Sequence, residues 1–204
     1  MKDQARPFGP RPPLTPAAAG QLALQANARA AVLVEGWSDQ AAVDALARRR
    51  GRQLQAEGVL TLPIGGVTNL GAFIQVLGAG GLGLRLAVLC DAAEESYARG
   101  ILGRAAGGEA IGLFVCDADL EDELIRAAGA SAVEAVLGSE GELASFRRFQ
   151  EQPAQRGREL HAQLRRFLGT RAGRKIRYGS LLVDAIDLSR APQALDLLLA
   201  HARG

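Results

Sequence analysis

The segment Ala31-Val32-Leu33-Val34-Glu35-Gly36-Trp37-Ser38-Asp39 joins a short, fully apolar run to an acidic turn that contains glycine. An uninterrupted apolar run of this length is typical of a strand that is buried on both faces of a parallel sheet. Glu35 directly follows the run, at the carboxyl end of the strand, where open α/β sheets bind their ligands. We expect Gly36 to let the chain turn sharply there and to let a phosphate approach closely.

Three more apolar runs follow and alternate with helical segments. These runs are Val59–Leu62, Leu84–Cys90 and Ile111–Cys116. Strands that alternate with helices predict a parallel sheet covered on both faces. The predicted fold class is therefore α/β, with a Rossmann-like, four-stranded parallel sheet flanked by helices and a helical C-terminal extension.

The helix signals divide the chain into three parts. Five of the eight prolines lie within the first sixteen residues, so residues 1–14 are predicted to be a flexible Pro-rich tail. Residues 15–138 are predicted to form the α/β core, and residues 139–204 a helical, basic extension packed on it. The predicted helices are Thr15–Asn27, Asp39–Arg50, Asn69–Leu77, Glu95–Arg104, Asp119–Ala128, Glu142–Gln150, Ala154–Leu168, Tyr178–Ile186 and Pro192–Ala202.

The composition excludes several classes of protein. With 204 residues, 48% hydrophobic and 23% charged, the chain is predicted to be globular rather than disordered. No apolar run reaches the roughly 18 residues of a membrane span, and the N-terminus lacks the apolar region of a secretory signal. Cys90 and Cys116 follow strand-like runs and are expected to be buried thiols of a cytoplasmic protein.

Acidic side chains follow three of the four predicted strands. Glu35, Asp91 and Asp117–Asp119 each stand directly beyond a carboxyl end, and they converge if the three strands are neighbours. Clustered carboxylates repel one another unless a cation neutralises them. A hard divalent ion, Mg²⁺ or Mn²⁺, suits such oxygen ligands, and two ions would clamp both oxygens of a phosphoryl displacement. A purely structural alternative stays open, because Asp39 and Asp119 are also good helix caps and Glu94 and Glu95 ordinary first-turn acids.

Charge is segregated along the chain. Residues 1–145 hold 12 basic and 17 acidic side chains, whereas residues 146–178 hold ten basic and two acidic ones, a local net charge of +8. Such an excess favours a polyanionic partner over a merely solvated helical face. The low aromatic content, 4%, favours backbone contacts over base stacking.

Taken in order, these motifs resemble a known domain. Val32–Asp39 is similar to the hhhEGxxD opening of the TOPRIM domain, which topoisomerases, primases and several nucleases share. Ile64–Asn69 resembles its second loop, and Leu86–Asp91 the strand that leads into its DxD motif. Asp119–Leu124, Phe149–Pro153 and Gly173–Tyr178 resemble the C-terminal part of the TOPRIM region in nucleases of the overcoming-lysogenisation-defect (OLD) family.

The resemblance implies a role for individual residues. Glu35 would be a metal ligand and general acid or base, and Asp39 a second ligand of the same ion. Asp91 would hold the other ion, Glu121 would match the glutamate of a downstream DLE motif, and Lys175 would stabilise charge on the phosphate. The further metal ligands expected are Glu94, Glu95 and Asp119. The residues expected to contact nucleic acid are Arg165, Arg166, Arg171, Arg174 and Arg177.

Two departures from the family pattern bear on function. Ala93 stands where the second Asp of DxD is expected, so the number of ions, one or two, stays open. The chain also has no GxxxxGK[ST] phosphate loop, which leaves it resembling a stand-alone TOPRIM domain without the ATPase domain of OLD proteins. An ATPase partner would have to act in trans.

The predicted function is a Mg²⁺- or Mn²⁺-dependent endonuclease that hydrolyses phosphodiester bonds of DNA and is not itself an ATPase. One alternative is a non-catalytic TOPRIM module with a degraded metal site that binds nucleic acid or an ATPase. Another is a phosphoryl-transfer enzyme that acts on a small nucleotide. The Ala/Leu-rich helices near both ends leave homo-oligomer formation open, and no membrane partner is expected.

Overall fold

Four parallel strands form a single sheet in the computed structural model, which describes residues 13–170 and 172–204. The strands are β1 (Ala30–Val34), β2 (Val59–Pro63), β3 (Arg85–Asp91) and β4 (Gly112–Cys116). Their spatial order is β2-β1-β3-β4, so β3 is hydrogen-bonded to both β1 and β4. The fold class predicted from the sequence is confirmed, and the three strands that are followed by acids are neighbours.

Ten α-helices surround the sheet within the described residues. They are α1 (Pro16–Gln25), α2 (Trp37–Arg49), α3 (Leu70–Leu77), α4 (Glu95–Leu102), α5 (Leu120–Ala128), α6 (Ala130–Ser139), α7 (Leu143–Gln150), α8 (Leu160–Gly169), α9 (Ala172–Ala185) and α10 (Gln193–Arg203). Most of the predicted tail over residues 1–14, and Arg171, lie outside the described residues.

Both faces of the sheet are buried because successive strand residues point to opposite sides. Ala31 and Leu33 of β1 pack with α1, α3 and α4 on one face, whereas Val32 and Val34 pack with α2 and the C-terminal helices on the other. Cys90 and Cys116 are buried free thiols in these two separate clusters. Among the described helices, none combines the length and apolar composition that crossing a bilayer requires.

Two predicted helices are wrong in their limits, and one helix was missed. Helix α8 begins at Leu160 rather than Ala154, because the chain around Pro153 and Gly157 forms turns. Helix α9 begins at Ala172 rather than Tyr178. Its first turns were missed because the cations there interrupt the apolar periodicity of the sequence. Helix α6 was not predicted, although Val133 and Leu137 are buried at helical spacing.

The helical extension is packed as part of the core. Helix α9 lies along α2, and α10 lies against β3 and β4. Helices α5 to α10 share one hydrophobic cluster with β1 and α2. The division near residue 138 therefore stays a prediction, since buried side chains on both of its sides belong to the same cluster.

Arginines at the end of α2 hold the extension in place. Arg49 Nη1 donates to the carbonyl oxygens of Val183 and Ile186, at 2.6 and 2.5 Å, and so satisfies acceptors at the C-terminal end of α9. Arg50 pairs with Asp196 of α10 at 2.6 Å. The arginine run that reads as the end of a helix in the sequence also fixes α9 and α10 against it.

Gly179 sets the distance between α9 and the first turn of α2. A Cβ atom at this position would lie 2.5 Å from the carbonyl oxygen of Ser38. Only glycine allows so close an approach, because the obstacle is backbone that cannot rotate away. Lys175 lies one turn earlier on α9, so the contact at Gly179 also brings Lys175 towards the loop after β1.

We predict that Gly179→Ala destabilises the protein by about 1–3 kcal/mol, because the added methyl group must push two helices apart. The matched control is Gly138→Ala in α6, where an added Cβ meets nothing within 4 Å. At position 138 the higher helix propensity of alanine should stabilise the protein by up to about 1 kcal/mol. Urea denaturation of both variants measures the difference, and equal stabilisation by the two substitutions would contradict the close packing at Gly179.

Candidate metal centre at the carboxyl edge of the sheet

Backbone hydrogen bonds continue beyond the strands and hold their exit loops together. The Gly65 N–H donates to the Glu35 carbonyl at 2.9 Å, and the Ala92 N–H donates to the Ala118 carbonyl at 3.2 Å. In the sheet itself, Asp91 is in register with Cys116. The loops after all four strands are thereby fixed side by side at one edge.

A cleft of about 270 Å³ opens at this edge. Four predicted ligands line it, namely Glu35 and Asp39 after β1, Asp91 at the end of β3, and Glu121 at the start of α5, whereas Glu94 and Glu95 do not. Lys175 enters from α9, and Asp119 also lines the cleft. The structure therefore brings together acids from three separate strand exits and one cation from the C-terminal extension.

The loop from Gly65 to Gly66 forms the wall of the cleft on the β2 side. Its φ angles of +74° and +108° lie in the region that favours glycine. Gly36 is different, because its φ of −141° is an extended conformation that any residue adopts. The expectation of a glycine-dependent turn at Gly36 is therefore wrong, and a Cβ there would instead stand 3.7 Å from Asp39 Oδ2.

Asp39 has the structural role considered from the sequence and also lies at the cleft, while its role as a metal ligand stays a prediction. It occupies the first turn of α2, and its Oδ2 accepts a hydrogen bond of 2.8 Å from the Gly36 N–H, which closes the loop after Glu35. Its carboxylate also faces the cleft. The backbone hydrogen bond orients the side chain without neutralising its charge.

Burial and mutual repulsion raise the pKa of two of these acids. The pKa of Asp91 is raised to about 7, chiefly by burial and then by the charges of Glu35, Asp39, Asp119 and Glu94. The pKa of Asp39 is raised to about 6 by burial, with a smaller contribution from Glu35 that Lys175 opposes. Since a nearby cation would remove this repulsion, the electrostatics favour binding of a positive ion.

Glu94 and Glu95 behave differently at the turn after β3. Burial and the charges of Glu35 and Asp39 raise the pKa of Glu94, so its side chain belongs to the same electrostatic cluster. Glu95 instead pairs with Arg99 one turn along α4, at 2.7 Å. Glu94 is therefore the better candidate to replace the missing second Asp at Ala93, because Glu95 is paired away from the cleft.

The acids beyond β4 already have cationic partners. Asp119 caps α5 by accepting from the Asp122 N–H at 2.8 Å, and its second oxygen pairs with Arg165 of α8. Lys175 Nζ lies 2.9 Å from Glu121 Oε1, close enough for an ion pair but not aligned as a hydrogen bond. That buried oxygen has no hydrogen-bond donor among the described residues.

The donor set fits a hard divalent cation. Carboxylate oxygens from Glu35, Asp39 and Asp91 face one cleft, and the buried Glu121 oxygen lacks a hydrogen-bond donor within the described part of the chain. The site is not fully assembled, however. Over residues 13–170 and 172–204, no three Asp, Glu, His or Cys side chains stand close enough to enclose an ion as placed.

The basic segment is more structural than the sequence predicts. Arg174 is only 6% exposed, pairs with Glu142, donates to the Phe167 carbonyl and stacks over the Phe167 ring. The Arg174 side chain therefore serves the packing of the helices, and its contact with nucleic acid stays a prediction. Arg177 pairs with Glu140 and Glu142.

The other predicted nucleic-acid contacts have different surroundings. Arg166 is exposed on α8, with no ion pair or hydrogen bond to any described residue. Arg165 is half-exposed but bound to Asp119 at the cleft. Its contact with the acids is the feature that sequence reasoning missed, since 46 residues separate the pair and only the packing of α8 beside α5 brings them together.

Comparison with known proteins supports the resemblance seen in the motifs. Residues 28–92 match the sequence model of the family described as "Overcoming lysogenization defect protein-like, TOPRIM domain". The match covers β1 to β3 and includes Glu35, Asp39 and Asp91. The recognition of an OLD-like TOPRIM domain is thereby confirmed. No curated protein matches the chain.

Solved structures share the fold over nearly the whole chain. The C-terminal region of the Burkholderia pseudomallei OLD protein superposes with a TM-score of 0.63 at 24% identity, covering 86% of this chain and 97% of that one. The C-terminal region of the Xanthomonas campestris pv. campestris OLD protein gives a TM-score of 0.63 at 22% identity, covering 87% and 93%. At these identities the likeness establishes the fold.

We predict that Arg174→Gln destabilises the protein by about 3 kcal/mol, because it leaves Glu142 and the Phe167 carbonyl without their buried partner. Arg166→Gln, which removes the same charge from an exposed position of the same segment, should change stability by no more than about 0.5 kcal/mol. Chemical denaturation compares the two. Equal, small effects would mean that Arg174 is a surface cation after all.

We predict that the metal-free protein loses stability as the pH rises from about 4 to about 8. The folded-state pKa values of Asp39 and Asp91, about 6 and about 7, lie above the ordinary 3.8, so the protonated forms favour the fold. That contribution is complete below the ordinary value and is lost as the pH passes through the raised ones.

Thermal denaturation in a chelator tests this pH dependence with Asp91→Asn, which cannot ionise at this position. As the pH rises, the variant should become more stable than the unaltered protein. In acid, the difference in stability between the two proteins should shrink. Parallel loss of stability in the two proteins would show that Asp91 ionises in the fold without strain.

Proposed function

We propose that this chain, which carries an OLD-like TOPRIM domain over residues 28–92, is a divalent-metal-dependent nuclease that hydrolyses phosphodiester bonds of DNA. The observation that supports the proposal most directly is the convergence of Glu35, Asp39, Asp91 and Glu121 with Lys175 in one cleft. Such an arrangement suits phosphoryl chemistry, where positioning and charge stabilisation supply most of the rate.

The carboxylates would hold the cation and the water. Glu35, Asp39 and Asp91 would bind Mg²⁺ or Mn²⁺, which when bound activates water and polarises the phosphate. The Glu35 side chain is exposed, and its carboxylate has no ion pair or hydrogen bond with any described residue, so it is free to accept a proton from the attacking water. Asp39 keeps its orientation through the Gly36 N–H.

Lys175 would stabilise the negative charge that grows on the phosphate in the transition state. Its ammonium group lines the cleft opposite the strand-end acids and lies near Glu121. The close contact at Gly179 positions the helix that carries it. A fixed cation of this kind needs no reorganisation during the reaction, which is the condition under which it lowers a barrier most.

DNA would be bound by the exposed part of the basic segment. Arg148 and Arg166 are exposed on α7 and α8, whereas Arg174 serves the fold. Contacts of this kind are made to the phosphate backbone, so they do not depend on the base sequence. The proposal places this reaction in the cytoplasm and assigns no ATP hydrolysis to these residues, which lack a phosphate loop.

A non-catalytic module is the second candidate. The observation in its favour is that the acids are not assembled around an ion position within the described residues, together with Ala93 in the place of the second Asp. In that case the chain would bind nucleic acid or a partner ATPase without cleaving. Metal binding separates the two candidates, since a module with a degraded site would bind DNA but no Mn²⁺.

We predict that plasmid or oligonucleotide DNA is cleaved with Mg²⁺ or Mn²⁺ and that Glu35→Gln and Asp91→Asn each lower the rate by about 100-fold or more. Each substitution keeps the size of the side chain while removing a charged ligand. The matched control is Glu151→Gln, at an exposed position after α7, which should cleave normally.

Two outcomes would contradict this prediction. Equal cleavage by the unaltered protein and both cleft variants would mean that a contaminant or another site is responsible. DNA binding without cleavage or Mn²⁺ binding would favour the non-catalytic module.

A further inference from the structure

The acids of the cleft fall into two groups, one without ion pairs and one in which each acid is paired with a cation. On the β1 and β3 side, Glu35 and Asp91 have no ion pair with any residue that the structure describes. On the β4 side, Asp119 pairs with Arg165 and Glu121 pairs with Lys175. Among the residues that the structure describes, the first group therefore has no paired cation, whereas the second group has two.

Both fixed cations act across the cleft as well as on their own partners. The charge of Asp91 contributes to raising the pKa of Arg165, after the larger effects of its hydrogen bond and ion pair with Asp119. Lys175 in turn opposes the rise in the pKa of Asp39. Arg165 and Lys175 thus lie where their fields reach the acids of the other group.

The turn after β3 offers a second ion one carboxylate fewer than the family pattern would. The Ala93 side chain carries no oxygen, and Glu95 is paired with Arg99. Glu94 is the remaining acid of this turn, and its coupling is to Glu35 and Asp39, in the group without cations. The available free carboxylates are therefore all on the β1 and β3 side.

We propose that Arg165 and Lys175 take the place of a second metal ion, so that the cleft binds a single divalent cation through Glu35, Asp39 and Asp91. The inference rests on the proposed function and specifies how its site is built. A guanidinium and an ammonium group anchored by Asp119 and Glu121 would neutralise a phosphate from the β4 side, while the one ion does so from the β1 and β3 side. Arg165 then belongs to the site and not to the general DNA-binding surface.

Isothermal titration of the metal-free chain with Mn²⁺ tests the stoichiometry without relying on activity. We expect one ion per chain for the unaltered protein. The double variant Arg165→Gln/Lys175→Gln should bind two, because removing both cations frees Asp119 and Glu121 as ligands. The matched control Arg148→Gln/Arg166→Gln removes the same charge from exposed positions and should still bind one.

A second variant covers the case in which the double variant does not fold. Asp119→Asn should still bind one Mn²⁺, since Asp119 is bound to Arg165 and is not a ligand of the single ion. Loss of the ion in this variant would overturn the inference, as would two ions in the unaltered protein or only one in a folded Arg165→Gln/Lys175→Gln variant.

The titration separates this inference from the nuclease proposal. Two ions with intact DNA cleavage would overturn the single-ion site and leave the nuclease standing. One ion without any cleavage would overturn the nuclease and retain the stoichiometry. Absence of Mn²⁺ binding would overturn both.

Discussion

Repulsion between carboxylates that the sheet forces together is the constraint on which the rest of the site depends. The order β2-β1-β3-β4 makes the exits of β1, β3 and β4 adjacent, so Glu35, Asp91 and Asp119 are delivered to one edge. Burial, and after it the charges of the neighbouring acids, raise the pKa of Asp91 to about 7, so ionising this carboxylate at the sheet edge has a cost. A fold that accepts such a cost at one point is typical of a functional site.

Cations on the C-terminal helices offset part of that repulsion. Helix α9 brings Lys175 to Glu121, and α8 brings Arg165 to Asp119. The same helices complete the hydrophobic cluster on one face of the sheet. The C-terminal extension thus buries one face of the sheet and also supplies cations to the acidic cleft. This double role accounts for a segment of net charge +8 next to that cleft.

The sequence predicted the sheet and the acids well because both depend on local patterns. Buried parallel strands are continuous apolar runs, and acids that follow them must lie at the carboxyl edge. The partners of the cations could not be predicted from the sequence. Nothing in the local sequence distinguishes Arg174, buried against Phe167, from Arg166, exposed on α8. Gly179 likewise reads as an ordinary weak helix position until its contact with Ser38 is known.

The most direct measurement is a crystal structure of the full chain soaked in Mn²⁺, with anomalous scattering used to place the metal. The account predicts a peak in the cleft within bonding distance of oxygens from Glu35, Asp39 and Asp91, at roughly 2.0–2.6 Å. A cleft without a peak, or with Glu35 and Asp91 turned away from any ion found, would contradict it.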